Sequence, residues 1–321
     1  MNKKERVKAV FMGQEPDRVP VCMWQHVPEE FWDDDDAFVK CQTDFLKATD
    51  VDFMKLSGDK FFGWPDPILD NIQSADELWQ MKPLAPDHPW LRSFIERTKK
   101  VVAAINGECY TFMLIYVPLS YLRLQVGYPM MMKLIRENPE AMKHATDVIA
   151  ESVKYLIDGL IDEAGVDGCF YSVQSAEWCR FTEEEYLDWV RPAEKKLLDY
   201  MNTKSDMNII HFCAWEEEPN RLSVWKDYKA PVISWSRYID VYDMDLMRYW
   251  TGGAALWGGF DNRPGTLLYE GTREEIEAEV KSLLKQGGKT GYILGSDCSI
   301  HNELPVERIA WVVEAVKKFS K

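Results

Sequence analysis

The sequence lacks the features of a nucleic-acid-binding, membrane-spanning or disulfide-stabilised protein. Its 321 residues contain 38 Lys and Arg against 53 Asp and Glu, and the formal net charge of -15 offers no basic footprint for a phosphate backbone. No uninterrupted run of about 18 apolar residues occurs, so we expect no membrane span. The 7 cysteines are scattered without framework spacing, which favours reduced thiols.

Targeting and linker signals are also missing. The basic segment 1–10 has neither the apolar stretch nor the small-residue cleavage site of a signal peptide, so we expect a cytoplasmic protein. No composition shift, repeat or flexible linker divides the chain. With 46% apolar residues, the sequence predicts a single domain over residues 1–321 with an ordinary globular core.

Eight apolar runs of strand length alternate with segments of helical pattern. Near-continuous apolar strands between helices indicate a parallel sheet that helices cover on its outer faces. Eight such runs favour a (β/α)8 TIM barrel with an N-terminal helical extension over a doubly wound open sheet, and no GxGxxG follows the first run. The predicted strands are 19–25, 51–57, 109–117, 167–173, 208–213, 231–236, 255–260 and 291–296.

Helix starts are marked by three capping-box patterns. Each pairs a hydroxyl side chain with a carboxylate three residues later, at Ser74, Thr182 and Thr272. Spaced apolar positions among many charges predict long surface helices within 134–164 and 183–203.

Residues 209–215, IIHFCAW, contain the pattern that points most directly to chemistry. Side chains two residues apart on a strand face the same side, so His211 and Cys213 should lie together. The carboxyl ends of barrel strands converge on one mouth, and Cys298 follows the eighth strand there. His-x-Cys with a distant Cys would give a three-ligand set with one open position, as in catalytic zinc sites. Spacing alone leaves open that these are three scattered core residues.

Three stretches of the chain resemble the uroporphyrinogen decarboxylase superfamily, whose fold is a (β/α)8 barrel. Residues 5–24, ERVKAVFMGQEPDRVPVCMW, resemble its first helix and the DRVP-type turn into strand one. Residues 258–288, GGFDNRPGTLLYEGTREEIEAEVKSLLKQGG, and 295–316, GSDCSIHNELPVERIAWVVEAV, resemble its last two strand–helix units. The resemblance extends over nearly the whole chain and is weakest between residues 60 and 160.

The resemblance implies one of two chemistries. The decarboxylases carry an arginine-rich RQAGR stretch after strand one, whereas this chain has MWQHVPEEFW at 23–32, without arginine. They also have a histidine at the position of Cys298 and a catalytic aspartate after strand two, for which the nearest candidate here is Asp59. The zinc-dependent corrinoid methyltransferases are similar to this chain at all three positions of the His-x-Cys and Cys set. That branch implies Zn2+ held by His211, Cys213 and Cys298.

The same branch implies a corrinoid, methylcobalamin, carried by a partner protein. The chain has no DxHxxG stretch, the usual mark of a corrinoid-binding module. The expected partners are therefore a corrinoid protein and a small-molecule methyl donor or acceptor.

Aromatic and polar residues at strand ends are candidates for substrate binding. Trp24, Gln25 and His26 end strand one, Tyr116 ends strand three, and Trp178 follows strand four. If these side chains line the mouth, a bulky organic substrate would fit. The alternative for each is a local packing role.

Three further residues are candidates for catalysis. Glu177 could serve as a fourth ligand or a proton donor, and His301 could support the metal site from outside it. Asp261 matches a superfamily loop after strand seven. The thiol methyltransferases imply an acidic residue after strand six as the resting fourth ligand, but Ser236 and Arg237 stand there.

The sequence thus predicts a zinc-dependent methyltransferase. It would exchange a methyl group between a corrinoid protein and a small thiol or an O- or N-methyl substrate, and O-demethylation is one direction. The direction stays open. The alternatives are a decarboxylase of the uroporphyrinogen type and a non-catalytic barrel that binds a tetrapyrrole.

Overall fold

A computed structural model of the chain, which describes residues 1–320, contains a barrel of eight parallel strands. Neighbouring strands pair in the order β1-β8-β7-β6-β5-β4-β3-β2, and the predicted (β/α)8 barrel is confirmed. Each strand lies within its predicted run, although the first is much shorter than predicted. The strands are β1 (Val21–Cys22), β2 (Phe53–Leu56), β3 (Tyr110–Tyr116), β4 (Gly168–Val173), β5 (Ile209–Phe212), β6 (Val232–Trp235), β7 (Ala255–Phe260) and β8 (Tyr292–Ser296).

Helices surround the barrel and connect its strands. They are α1 (Lys3–Phe11), α2 (Asp35–Thr49), α3 (Pro67–Asp70), α4 (Pro89–Ile105), α5 (Pro118–Val126), α6 (Tyr128–Glu137), α7 (Pro139–Asp158), α8 (Glu183–Glu185), α9 (Arg191–Lys204), α10 (Arg237–Asp240), α11 (Met244–Thr251), α12 (Leu267–Glu270), α13 (Arg273–Gly287) and α14 (Val306–Phe319). Within the described residues, no helix combines the length and the apolar character needed to cross a bilayer.

The three predicted capping boxes are present, but the long helix predicted within 134–164 is interrupted. Capping boxes at Thr182 and Thr272 open α8 and α13, while the box at Ser74 opens a 3-10 segment, Ala75–Gln80. The helix predicted within 134–164 is divided, because Asn138 ends α6 and caps α7, whose first residue is Pro139. Proline suits a first helical position but removes the amide that an uninterrupted helix needs.

A buried carboxylate closes the barrel between β1 and β2. The backbone amide of Asp52 donates to the Val21 carbonyl at 2.8 Å, and its carboxylate accepts from the Val21 amide at 2.7 Å. Arg6 and Arg18 both bind the same carboxylate, at 2.8 and 2.7 Å. The DRVP-type turn thus contributes a guanidinium that clamps the first strand to the second.

The barrel interior is filled by aromatic and branched side chains that form a cluster separate from the outer core. Phe53, Phe112, Phe170 and Trp257 belong to this cluster, and Phe11 of α1 stacks on Phe112 at 5.4 Å between ring centroids. The predicted N-terminal helix therefore packs on the interior residues. The filled interior leaves the site at the carboxyl ends of the strands.

Candidate metal centre

Strand β5 directs His211 into the barrel, between serines on both neighbouring strands. In the sheet register it lies beside Ser172 of β4 and Ser234 of β6. Its Nδ1 is 3.0 Å from the Ser234 hydroxyl, and its ring stacks on Phe170 at 5.2 Å. The Nε2 atom is buried and has no hydrogen-bond partner among the described residues. An imidazole fixed through one nitrogen, with the other unpaired, is the arrangement of a metal-binding histidine.

The two cysteines approach His211 from the ends of β5 and β8. The Cys213 amide donates to the Val173 carbonyl at 3.0 Å, and the Gln174 side-chain amide donates to its sulfur at 3.4 Å. Cys298 is the second residue past β8, and its carbonyl accepts from the Ser296 hydroxyl at 2.8 Å. Both cysteines are therefore positioned by hydrogen bonds with residues at or next to strand ends.

The three side chains converge as a set of metal donors. A nitrogen of His211 and the sulfurs of Cys213 and Cys298 lie within 4.8 Å of one another. Ligands at about 2.0–2.3 Å from a tetrahedral zinc are about 3.5–3.8 Å apart, so these donors need only a small inward adjustment of their side chains to share one ion. Two thiolates and one imidazole are donors that zinc prefers, and the residues present fit that ion.

The two thiols shift each other's pKa in opposite directions. The adjacent Cys213 thiol lowers the pKa of Cys298 well below its usual range, and His211 acts the same way. The same contact, together with burial, raises the pKa of Cys213. The pair therefore favours one thiolate, which is the form that binds metal.

A cavity of about 260 Å3 lies over these donors at the mouth of the barrel. We call it the mouth cavity. Its walls combine a few aromatic rings with a larger number of polar and charged side chains. They are Trp24, His26, Lys55, Leu114, Tyr116, Phe170, Ser172, Gln174, His211, Cys213, Ala214, Trp215, Glu216, Glu217, Ser236, Ile239, Asn262, Arg263, Cys298, Ser299 and His301.

Several of the residues predicted from strand ends do line this cavity. Trp24, His26, Tyr116 and His301 are on its wall. Gln25 is not, because its side-chain amide donates to the His301 carbonyl at 3.0 Å and ties β1 to the loop after β8.

Three further predicted residues are not on the wall of the mouth cavity. Glu177 is buried, and its carboxylate lies 3.4 Å from the Tyr128 hydroxyl. Trp178 is 59% exposed on the outside of its loop. Asp261 binds the guanidinium of Arg263, with 2.6 Å between the closest atoms. The loop backbones after β4 and β7 turn these side chains away, and their proposed roles stay predictions.

No fourth donor completes the metal set within residues 1–320. Ser236 lines the cavity, but its hydroxyl accepts from the Ala214 amide at 3.1 Å. The Arg237 guanidinium points away to Gln286, at 2.9 Å. Because the three donors line the mouth cavity, an ion held by them would have its fourth position open to a substrate atom.

Lys55 is the principal wall residue that the sequence analysis missed. It lies on β2 and is only 4% exposed, and its ammonium is 5.7 Å from the centroid of the Trp24 ring. Burial lowers its pKa to about 8. The available signal was a lysine flanked by Met54 and Leu56 inside a predicted strand, VDFMKLS.

The loops that carry the cavity wall hold strained backbone. Ser175 has φ 71° after β4, and Glu216 and Glu217 have φ 57° and 59° after β5. Non-glycine residues in the left-handed region cost free energy and cluster at functional sites. The strain supports a functional role for this end of the barrel.

Comparison with known proteins identified one family. The sequence model of the uroporphyrinogen decarboxylase (URO-D) family matches residues 63–319. A search of curated proteins found no match.

Solved structures with a similar fold include a methyltransferase from Methanosarcina mazei. It superposes with a TM-score of 0.75 at 17% identity, and the match covers 100% of both chains. A B12-independent methionine synthase from Shewanella sp. W3-18-1 matches with a TM-score of 0.42 at 16% identity, over 71% of this chain and 65% of that one. At these identities, the first likeness shows a shared fold.

Proposed function

The chain belongs to the uroporphyrinogen decarboxylase (URO-D) family, and we propose that within it this protein is a zinc-dependent methyltransferase that works with a corrinoid protein. The observation that carries this proposal is the convergence of His211, Cys213 and Cys298 with one buried, unpartnered imidazole nitrogen. Zinc bound there would hold a substrate thiol as a thiolate or polarise the oxygen of a methyl ether.

The chain's own residues would orient and protect the reacting atoms. Ser234 holds His211 through Nδ1, so that Nε2 faces the site. Beneath the donors, the rings of Trp24, Phe170 and Trp257 pack with centroids 4.8–5.5 Å apart and exclude water from below. Two thiolates and a neutral imidazole would balance the charge of Zn2+, which suits a thiol acceptor. The aromatic wall suits a bulky organic methyl donor, so the direction of transfer stays open.

The decarboxylase alternative is less well supported by the site. A substrate with many carboxylates needs several free cations. On the mouth-cavity wall within residues 1–320, the one arginine, Arg263, already binds Asp261, which leaves Lys55 alone as an unpaired lysine. Asp59, the candidate catalytic aspartate, is fully buried and accepts from the Val27 amide at 2.7 Å and from His26 at 2.7 Å.

The volume of the mouth cavity also argues against the non-catalytic alternative. About 260 Å3 is near the lower end of small-molecule pockets, about 300–1,000 Å3. A tetrapyrrole would therefore lie across the mouth rather than inside it. This is where a partner protein would present a corrinoid.

Metal content and cobalt spectroscopy test the proposal. We expect about one zinc per chain in anaerobically purified protein. We also expect a change in the cobalt spectrum when methylcobalamin is offered with thiols, or Co(I) cobalamin with methyl ethers. Cys213→Ala should lose both zinc and turnover, whereas Cys179→Ala, at an exposed thiol outside the site, should retain both. Turnover by the Cys213 variant, or wild-type zinc below about 0.5 per chain, contradicts the proposal.

A further inference from the structure

A second cavity lies on the outer side of the barrel wall, beside the mouth. We call it the outer groove, and its volume is about 410 Å3. It runs along one face of α2 and reaches the start of α14. Its lining consists of Met23, Trp24, Gln25, His26, Pro28, Phe31, Ala37, Lys40, Cys41, Gln42, Asp44, Phe45, Ala48, Met54, Lys55, Asn302 and Val306.

The outer groove reaches the barrel interior because β1 and β2 part beyond Asp52. These two strands are not neighbours in the strand pairing, and the hydrogen bonds between them are those of Val21 with Asp52. Trp24 and Lys55 consequently line both the outer groove and the mouth cavity. The two spaces meet at these side chains.

Lys55 is a buried cation without a partner. Across residues 1–320 no carboxylate lies within 4.0 Å of its ammonium, and the ammonium donates no hydrogen bond. It lies 5.7 and 5.5 Å from the ring centroids of Trp24 and Phe170, which compensates only part of the lost hydration. Asp59, the charge that raises the pKa of Lys55 most, is already bound to His26, and the Cys298 and Cys213 thiols act on Lys55 in the same direction.

The remaining walls of the outer groove are mostly apolar. Met23 and Met54 are almost fully buried, and Phe31 and Phe45 are partly exposed. The charged α2 residues that line the outer groove, Lys40 and Asp44, pair with each other at its rim. The outer groove therefore offers one unsatisfied charge at its inner end and apolar contact along its length.

We propose that the outer groove and Lys55 form a binding site for a small organic anion with an apolar, ring-sized body. The anionic group pairs with the Lys55 ammonium, and the body lies against Met23, Phe45 and Met54. A bare inorganic anion would gain nothing from these walls, and a neutral hydrocarbon would leave the ammonium unpaired. That this ligand is the methyl donor or acceptor rests on the proposed function, whereas its binding does not.

Calorimetric titration with three probes tests the site. Benzoate carries the ring and the anion, benzyl alcohol has the ring alone, and acetate has the anion alone. We expect benzoate to bind at one site per chain, at least about tenfold more tightly than either of the others. Lys55→Met should weaken benzoate about tenfold or more and leave benzyl alcohol unchanged. Equal benzoate affinity in wild type and Lys55→Met would overturn the proposal.

A second variant tests the outer groove without changing a buried residue. Ala48 lies on the exposed face of α2 and lines the outer groove, so Ala48→Phe should fill it and weaken benzoate about tenfold. Ala104→Phe, on the exposed face of α4, is the matched control and should bind as wild type does. Unchanged benzoate affinity in Ala48→Phe would also overturn the proposal.

The metal-site variant separates this proposal from the methyltransferase proposal. Cys213→Ala, stripped of metal, should still bind benzoate within about threefold of wild type. Loss of binding there would refute an anion site that is independent of the metal. If wild-type protein holds no zinc but still binds benzoate, the result would support the anion site in the outer groove and contradict only the proposed zinc chemistry.

Discussion

At the scale of single residues, Gln174 connects the metal donors to the rest of the barrel. Its side-chain oxygen accepts from the Ser120 hydroxyl and from the Arg123 guanidinium, both at 2.7 Å. Because the oxygen is occupied, the amide nitrogen turns toward the sulfur of Cys213, 3.4 Å away. A donor to a metal thiolate draws charge from the sulfur and fixes its position.

Removing this donor should weaken metal binding without unfolding the barrel. We expect Gln174→Leu to lower zinc affinity about 10–100-fold, which competition with a chromogenic chelator would measure. In the cobalt-substituted protein, the thiolate-to-cobalt absorption bands should shift as well. Gln125→Leu, at a surface glutamine that binds Asp70, is the control and should change neither. Identical affinity and bands in Gln174→Leu would mean that the N–H···S contact has no influence on the metal.

A second residue-scale prediction concerns a buried acid outside the site. Burial raises the pKa of Glu194 to about 8, although hydroxyl donors Tyr186 and Tyr228 lie 2.6 and 3.0 Å away. Its usual pKa is about 4.3, so between these values the folded protein holds a proton that the unfolded chain releases. The contribution of protonated Glu194 to the free energy of unfolding is therefore complete below the usual glutamate pKa. It is lost as the pH rises through about 8.

Replacement of Glu194 by an uncharged amide should remove this dependence. In urea unfolding from pH 5 to 8.5, the free energy of unfolding of wild type should fall relative to that of Glu194→Gln as the pH rises. Glu140→Gln, at an exposed surface ion pair, is the control and should follow wild type. Parallel pH profiles for wild type and Glu194→Gln would show that Glu194 is not protonated in the folded state.

At the scale of elements, one carboxylate joins the first helix, the first turn and two strands. Asp52 is fully buried and binds Arg6 of α1, Arg18 of the DRVP-type turn and the amide of Val21. The barrel has no continuous β1–β2 ladder, so this cluster replaces one. Removal of a partner from such a cluster leaves buried charge uncompensated.

We therefore expect Asp52→Asn to be strongly destabilising. The loss should be about 3–5 kcal/mol in the free energy of unfolding, measured by urea denaturation. Asp50→Asn is the matched control, because Asp50 is exposed, pairs with Lys3 and Lys317, and has a left-handed backbone that asparagine tolerates. Its cost should stay below about 1 kcal/mol. Similar losses in both variants would show that the Asp52 cluster does not close the barrel.

At the scale of the whole molecule, the proposed metal centre joins strand ends that are distant in the sequence. His211 and Cys213 lie at β5, whereas Cys298 follows β8, the strand that pairs with β1. An ion bound to all three would cross-link the barrel in its folded form alone. Ligands that bind only the folded state stabilise it by mass action.

Removal of zinc should therefore lower the melting temperature. With a chelator in excess, we expect Tm to fall by about 4 °C or more, since tight binding contributes about 2.7 kcal/mol at 100 times Kd. Cys298→Ala should melt at one temperature with or without chelator. An unchanged Tm in chelated wild-type protein would contradict a metal that bridges β5 and β8.

The sequence alone predicted the barrel and, as a hypothesis, the set of three metal donors. All eight strands were predicted because both faces of a barrel strand are buried, which leaves an unmistakable apolar run. The length of β1 was overestimated, since only Val21 and Cys22 pair with β8. His211 and Cys213 were identified by alternation on a strand, and Cys298 by the convergence of parallel strand ends.

Only the tertiary structure decided which polar side chains reach the cavity. Glu177 and Trp178 lie only a few residues past β4, as Cys298 does past β8, yet the loop backbone turns them away from the mouth. Lys55 faces the interior because it lies on the inner side of β2, and its lack of a partner depends on strands and loops distant in sequence. Sequence patterns predict strands and helices because the backbone periodicity of each element depends on residues close together in the chain. The groups that surround a charged side chain such as Lys55 come from all parts of the chain.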